Sequence, residues 1–324
     1  MRAVVLSEFG PAGNLGPAEL PDPVPGPGQV LIDVEIAGIT FVETQIRAGR
    51  APNPAMLPRL PAVLGNGVGG VVASVADGAG PDLVGRRVVA ATGGSGGYAE
   101  RAAADATALI EVPAQLSLAD AVALLADGRT AVALARTAGL RPGETVLVEA
   151  AAGGVGSLLV QLARGSGARV VAAAGGPRKL RVARELGADL VIDYADPGWA
   201  GRVRAEAGPV DVVFDGVGGQ VGGAAFGLLR DGGRFCAFGM ASGSFTVFPE
   251  GQPERRGITV VRGAPVSPAQ MRELSAAALA RAAAGTLRPL IGQTFPLERA
   301  ADAHAAIAGR ATVGKTLLLA RAAG

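Results

Sequence analysis

Cysteine and histidine each occur once in this 324-residue chain, as Cys236 and His304. A lone cysteine excludes an intramolecular disulfide and fits a reducing cytoplasm. A structural zinc takes about four Cys/His ligands and a catalytic zinc three protein ligands. One Cys and one His, far apart in sequence, do not supply them, and no H-E-x-x-H-like spacing brings carboxylates in, so no metal site is expected. Cys236 sits in an apolar run that reads as core, and His304 in an Ala-rich helix that reads as structural. A Ser-His-Asp hydrolase is equally hard to build, because no G-x-S-x-G elbow occurs. Aromatics are scarce at 4%, and net charge is only +2. With no Lys/Arg blocks interleaved with aromatics, nucleic acid is not an expected partner. No apolar stretch of membrane-spanning length escapes interruption, and Met1–Leu6 is too short an apolar run for a signal peptide. What is abundant is hydrophobic residue content, 49%, and glycine, 50 residues without a three-residue period. That composition describes a globular chain of about two domains.

Up to about residue 115 the pattern is strand and loop. Val30–Ile36 alternates as a strand, and Gly67–Val75 and Arg87–Ala91 read as further strands. Leu20–Gly28 carries four prolines, which forbid regular structure. From Leu118 onward short apolar strands alternate with helices. Helices are predicted over Ala119–Leu125, Thr130–Ala138, Val155–Arg164 and Pro177–Leu186. Strands are predicted at Thr145–Glu149, Arg169–Ala173, Leu190–Ile192, Asp211–Asp215 and Gly233–Phe238. Such alternation means right-handed βαβ units around a parallel sheet. Past residue 262 come two Ala-rich helices, near 269–284 and 298–308, and a last strand, Lys315–Leu319.

The sharpest local signal is Ala150–Ser157, between a predicted strand and a predicted helix. Against the dinucleotide fingerprint G-x-G-x-x-G, the three positions are Ala151, Gly153 and Gly156. Ala151 takes the tight turn, Gly153 lets backbone approach a pyrophosphate, and Gly156 lets helix pack on strand. Gly154 and Val155 lie at the helix N-terminus, where unpaired N–H groups meet an anion. An NAD site usually places an acid about 20 residues on, to bind the ribose 2′-hydroxyl. The stretch Val170–Lys179 has no acid and ends in Arg178 and Lys179. A 2′-phosphate would be repelled by a carboxylate and attracted by these cations. NADP(H) is therefore the expected cofactor.

These residues resemble a family. Gly38–Gly49 looks like the G-(V/I)-N-(F/P)-x-D-x-x-x-R-x-G signature of zinc-independent quinone oxidoreductases (the zeta-crystallin-like branch of the medium-chain dehydrogenase/reductase superfamily). Pro61–Val72, Gly97–Glu100, Thr130-Ala131, Ala150–Gly156, Asp215–Gly219 and Gly314-Lys315 are similar to further segments of that family, so the resemblance runs along essentially the whole chain. Thr40 stands where the family has Asn, Glu43 where it has Asp, and Gly67 where it has Glu. The resemblance implies a Rossmann-like parallel-sheet α/β domain inserted into a GroES-like β-rich catalytic domain. The expected boundaries are 1–118, 119–261 and 262–324. It also implies a cleft where NADPH meets substrate, and a homodimer. By the same resemblance Lys179 and Tyr194 contact the adenosine end of NADPH, Gly175 takes the small position near the 2′-phosphate, Val217 lies in the Asp215–Gly219 segment, and Phe238-Gly239 borders the nicotinamide.

The expected activity is NADPH-dependent hydride transfer to a quinone or another α,β-unsaturated carbonyl compound, with the protein stabilising developing enolate or hydroquinone charge. A hydroquinone anion takes its proton from water, which suits a site without His or Cys. Candidate cleft residues are Thr40, Asn66 and Thr130, with Arg47 as a cation near the mouth and Tyr98 as a proton donor. Asp127 and Arg129 read either as site groups or as an exposed pair. Two alternatives stay open, an enoyl-thioester reductase and a non-catalytic NADPH-binding sensor.

Overall fold

A computed structural model describes residues 1–262 and 267–320. The chain runs β1 (Arg2–Leu6), β2 (Leu15–Glu19), β3 (Gln29–Ile39), α1 (Phe41–Arg47), β4 (Ala62–Val63), β5 (Gly67–Val75), β6 (Arg87–Ala91), β7 (Arg101–Asp105) and β8 (Ile110–Glu111). A long helix, α2 (Leu118–Ala138), leads into β9 (Thr145–Glu149), α3 (Gly154–Gly165), β10 (Arg169–Ala174), α4 (Pro177–Glu185) and β11 (Leu190–Asp193). Then come α5 (Trp199–Ala207), β12 (Val210–Asp215), α6 (Gly219–Phe226), β13 (Leu229–Ala237), α7 (Gln252–Arg255) and β14 (Thr259–Arg262). The chain closes with α8 (Pro268–Ala283), β15 (Ile291–Pro296), α9 (Ala300–Ala308) and β16 (Lys315–Leu319).

It divides into two compact units, Met1–Arg129 with Ser267–Gly324, and Thr130–Val266. The first division comes eleven residues after the expected 118/119 boundary. The reason is α2, a single helix where two had been expected, Ala119–Leu125 and Thr130–Ala138. Gly128 does not break it. A Cβ there would lie 2.8 Å from the Cβ of Ala278, so the glycine admits a close helix neighbour, α8. The second division, at Val266/Ser267, falls after the expected 261/262 and adjoins residues outside the described ones.

The first unit is built on β3, which pairs antiparallel with β5, β7 and β16. Its alternation is physical: Val30, Ile32 and Val34 are fully buried while the intervening residues are less so. Each such side chain contributes roughly 1.5–3 kcal/mol. The main sheet runs β15-β16-β3-β5-β6-β8, and β2-β1-β4 forms a smaller sheet. Helix α1 was not anticipated within the strand-and-loop region. Its signal is Thr40-x-x-Glu43, a capping box, in which the Glu43 carboxylate accepts the Thr40 backbone N–H at 2.6 Å.

The second unit is a parallel sheet of order β11-β10-β9-β12-β13-β14. Helices on both faces require strands apolar on both sides. Val146, Leu147 and Val148 on β9 are accordingly all buried, as are Val170–Ala174 on β10. This order reverses direction between β9 and β12, and ligands of doubly wound sheets bind outside the carboxyl ends of strands at such a switch point.

Candidate functional site

The glycine loop leaves β9 at that switch point. The strained residue is Ala150, at φ +48°, so the tight turn falls one residue before Ala151, where the fingerprint had put it. Ala151 is buried, its N–H bonded to the Ala173 carbonyl at 3.1 Å. Gly153 caps α3 without a side-chain bond, leaving N–H groups of Gly154 and Val155 in the first turn without intrahelical partners. Gly156 is where a side chain is least tolerated: a Cβ would lie 2.3 Å from the Ala150 carbonyl oxygen. The third glycine therefore allows helix and turn to touch, as its fingerprint role requires.

Next along the sheet, β10 ends without an acid. Gly175 and Gly176 turn the chain into α4, which opens Pro177-Arg178-Lys179. Arg178 is exposed and Lys179 half-buried. The Tyr194 ring lies against Gly175, where a Cβ would come within 3.3 Å of it. The nearby carboxylate, Asp193, is committed to backbone, accepting from Gly176 N at 3.1 Å and Ala195 N at 2.9 Å. On the other side of the switch point, Val217 is buried after β12. Phe238 and Gly239 both donate their N–H to the Asp215 carbonyl, at 2.9 and 3.2 Å. A Cβ on Gly239 would lie 2.4 Å from the Gly216 carbonyl oxygen, so the turns after β12 and β13 pass in direct backbone contact. The expected cofactor residues thus all lie at or just after the carboxyl ends of β9, β10, β11, β12 and β13.

Two acids beneath this edge had been given no role in the sequence reading, although Asp215 opens one of the family-like segments. Glu149, the last residue of β9, is fully buried, and burial with the neighbouring Asp215 carboxylate holds its carboxyl well above the usual range. Asp215 accepts from Val217 N (3.0 Å), Gly218 N (2.6 Å) and Thr246 Oγ1 (2.6 Å). The signal was present: Val146-Leu147-Val148-Glu149 and Val212-Val213-Phe214-Asp215 each end an apolar strand in an acid.

The first unit holds a cavity of about 490 Å³. Its wall is largely apolar, with Val42, Ile46, Met56, Leu57, Val122 and Leu125. Its polar groups are Thr40, Glu43, Asn66, Ser95, Arg129 and Lys315. Glu43 organises this wall. Its Oε2 accepts from Thr40 N and from Thr40 Oγ1 (3.0 Å), and its Oε1 accepts from Asn66 N at 2.8 Å. Burial raises the Glu43 carboxyl above its ordinary range, against the pull of these bonds and of Lys315. Asn66 Oδ1 accepts from Gly94 N at 2.8 Å, which orients the rest of its amide. Lys315 donates to Asp127 at 3.1 Å, an ion pair with both side chains largely buried. The resemblance had set Glu43 in the expected cleft without giving it a role, and Lys315 had been given none. Glu43 stands four residues from an Ile39-Thr40 strand end, and Lys315 opens an apolar strand, a placement that costs free energy unless the charge is paired.

Of the five residues expected in the cleft, Thr40 and Asn66 line this cavity, and Thr130, Arg47 and Tyr98 do not. Tyr98 is fully buried, with its hydroxyl 3.0 Å from His304 Nε2. Burial and the nearby Glu43 carboxylate hold its phenol well above the ordinary range, which argues against the proton-donor role. Arg47 is buried and donates to the Gly10 carbonyl. Thr130 lies beyond the end of the first unit on α2. His304 is a neutral core imidazole, pushed down to about 3 by burial and then by Arg47. Cys236 is buried and its thiol is pushed up to about 12 by burial. Among the described residues no three His, Cys, Asp or Glu side chains cluster to hold a metal, and no helix is long and apolar enough to cross a membrane.

Known proteins resemble the chain along its whole length. The alcohol dehydrogenase GroES-like domain family matches residues 26–114, and the zinc-binding dehydrogenase family matches 154–280. A 2-haloacrylate reductase of Burkholderia is 34% identical, covering 99% of both chains. The quinone oxidoreductase of Homo sapiens is 31% identical over 98% of both. Among solved structures, Escherichia coli quinone oxidoreductase complexed with NADPH superposes with a TM-score of 0.90 at 29% identity, covering 98% of this chain and all of that one. With this identity and this fold over its full length, the chain belongs to the quinone oxidoreductase branch of the medium-chain dehydrogenase/reductase superfamily.

Proposed function

We propose that the chain is an NADPH-dependent reductase of conjugated carbonyl compounds, a quinone or an α,β-unsaturated acceptor, working without a metal. The observation that carries this reading is the turn from β10 into α4. It carries Arg178 and Lys179 two and three residues after Gly176, with the Tyr194 ring against Gly175, and Asp193 at the end of β11 accepts from backbone N–H groups. A 2′-phosphate would meet cations there, and the stretch Val170–Lys179 carries no acid. The Ala150–Gly156 loop would hold the pyrophosphate against the N-terminus of α3. The cofactor supplies the hydride; the chain's residues bind and orient the acceptor. In the first unit's cavity, apolar Val42, Ile46, Leu57, Val122 and Leu125 would pack the acceptor's carbon skeleton. The Asn66 side-chain NH2, oriented through Oδ1 by Gly94 N, would donate to its oxygen as charge develops there, and the Thr40 hydroxyl, whose proton goes to Glu43, lines the same wall. The relatives named for quinones and for a haloacrylate support an acceptor with a C=C conjugated to a carbonyl. The same reading makes the protein a cytoplasmic homodimer, which sedimentation of the purified chain tests.

The test is NADPH and NADH oxidation in parallel, with quinones, small enones and crotonyl-CoA as acceptors. Turnover with quinones or enones is expected, and Lys179→Ala should raise KM for NADPH about tenfold while leaving that for NADH nearly unchanged. Equal use of NADH by the unaltered protein would overturn the cofactor assignment. Crotonyl-CoA as the sole good acceptor would replace the substrate class with an enoyl thioester, and NADPH binding without any turnover would leave a sensor.

A further inference from the structure

The cavity wall of the first unit carries an imbalance of charge that a neutral acceptor does not use. Val122, Leu125, Ala126 and Arg129 of α2 all line it. Their spacing of three, four and seven residues is that of one helix face, so Arg129 belongs to the face that meets the cavity. The other charged groups on the wall are provided for. Glu43 accepts three hydrogen bonds, from Thr40 N, Thr40 Oγ1 and Asn66 N. Lys315 is paired with Asp127, a residue that does not itself line the cavity. Arg129 alone of these charged groups makes no hydrogen bond and no ion pair within 4 Å among the described residues; the charge that attracts it is Asp127, a carboxylate already bonded by Lys315. A guanidinium presents a planar fork of N–H donors matched to a carboxylate, and it is most effective where water is partly excluded. Placing one without a hydrogen-bonded partner in a largely apolar wall is costly for a site meant to take a neutral quinone.

We propose that Arg129 is the carboxylate-binding residue of this site, and that the acceptor is an α,β-unsaturated carboxylate of acrylate type. The inference rests on the conjugated-carbonyl reductase reading above and narrows its substrate. The chemistry gives Arg129 a second task. A conjugated carboxylate is a poor hydride acceptor, because the added electron pair must join an existing negative charge. In the reaction the β-carbon gains a hydride from the dihydronicotinamide of NADPH, which is oxidised to the nicotinamide of NADP⁺. The π pair moves to the α-carbon and carboxylate, and the α-carbon takes a proton from solvent. The C=C bond becomes a single bond, and the intermediate dianion is most stabilised where a fixed cation faces both oxygens. Apolar Leu125 and Val122, one and two turns back along the same face, would pack the short carbon chain.

The experiment compares 2-chloroacrylate with its methyl ester, which share a skeleton and differ in charge, for the unaltered protein, Arg129→Met and Arg129→Lys. NADPH affinity is followed separately by fluorescence titration, which also shows that each variant folds. The ratio of kcat/KM for the acid to that for the ester should fall roughly 10- to 100-fold in Arg129→Met, the range of one charge-assisted contact, and recover in part in Arg129→Lys. Equal loss on acid and ester would overturn the assignment. So would weakened NADPH binding with an unchanged ratio, which would place Arg129 on a cofactor phosphate. If the unaltered protein reduces neutral quinones or enones and not the acid, the carboxylate class fails while the reductase reading stands. If it oxidises NADPH with no acceptor at all, it is the reductase reading that fails.

Discussion

His304 makes the first unit acid-sensitive by an amount that can be worked out. Its imidazole is fully buried, bonded to the Tyr98 hydroxyl through Nε2, and Nδ1 has no partner among the described residues. Burial and Arg47 depress its pKa from 6.5 to about 3. A depressed folded-state pKa means that the unfolded chain binds the proton first. The stabilisation is present in full above pH 6.5 and is lost as pH falls toward 3. At pH 4.5, two pH units below the ordinary value, His304 costs about 2.6 kcal/mol relative to pH 7; by pH 3 the loss is about 4 kcal/mol. His304→Gln removes the titration and keeps an amide able to bond Tyr98. Near neutrality the variant should be less stable by roughly 1–2 kcal/mol, from imperfect packing. At pH 4.5 the order should reverse. The buried carboxyls Glu43 and Glu149 are raised, so their contribution runs the other way, lost as pH rises; it is common to both proteins and cancels in the difference. The assay is hydrogen exchange at pH 7 and 4.5, read in peptides containing Tyr98 and residue 304. Trp199, the single tryptophan, lies in the second unit and reports that unit's own denaturant transition. Parallel pH dependence in the two proteins would refute the reasoning.

Two further perturbations test the frame around the site. Gly156→Ala would put a Cβ 2.3 Å from the Ala150 carbonyl oxygen, where both partners are backbone and cannot swing aside. It should cost roughly 1–3 kcal/mol and weaken NADPH binding at least tenfold, measured by denaturation and fluorescence titration; unchanged binding would separate the loop from the cofactor. Lys315→Met would strand the largely buried Asp127 carboxylate, at a cost of about 3–5 kcal/mol in urea denaturation, whereas Lys315→Met combined with Asp127→Leu should recover most of it.

What could be read along the chain was whatever depends on neighbours in sequence. β5, β6, β9 and β16 came out at their observed limits because period-two alternation or short apolar runs bounded by glycine leave little choice. The glycine loop, the acid-free end of β10 and the Lys179 position were equally local, since a fingerprint and its twenty-residue offset lie on one strand–helix–strand unit. The cavity was legible only in part. Thr40 and Asn66 were found by resemblance, but the group that joins them, Glu43, lies 23 residues before Asn66 and shows its role only once Oε1 meets that backbone N–H. Tyr98 and Arg47 looked like site residues by type. Their fate was decided by α9, which brings His304 to the Tyr98 hydroxyl across 206 residues, and by the Gly10 carbonyl, which takes the Arg47 guanidinium. The two helices expected on either side of Gly128 are one, because α8 supplies a close neighbour for that glycine. Periodicity, turn chemistry and cofactor fingerprints are short-range and were therefore determined by the sequence itself. Which polar groups face a cavity and which are consumed by one another depends on partners 20 to 200 residues away, and only the tertiary structure decided it.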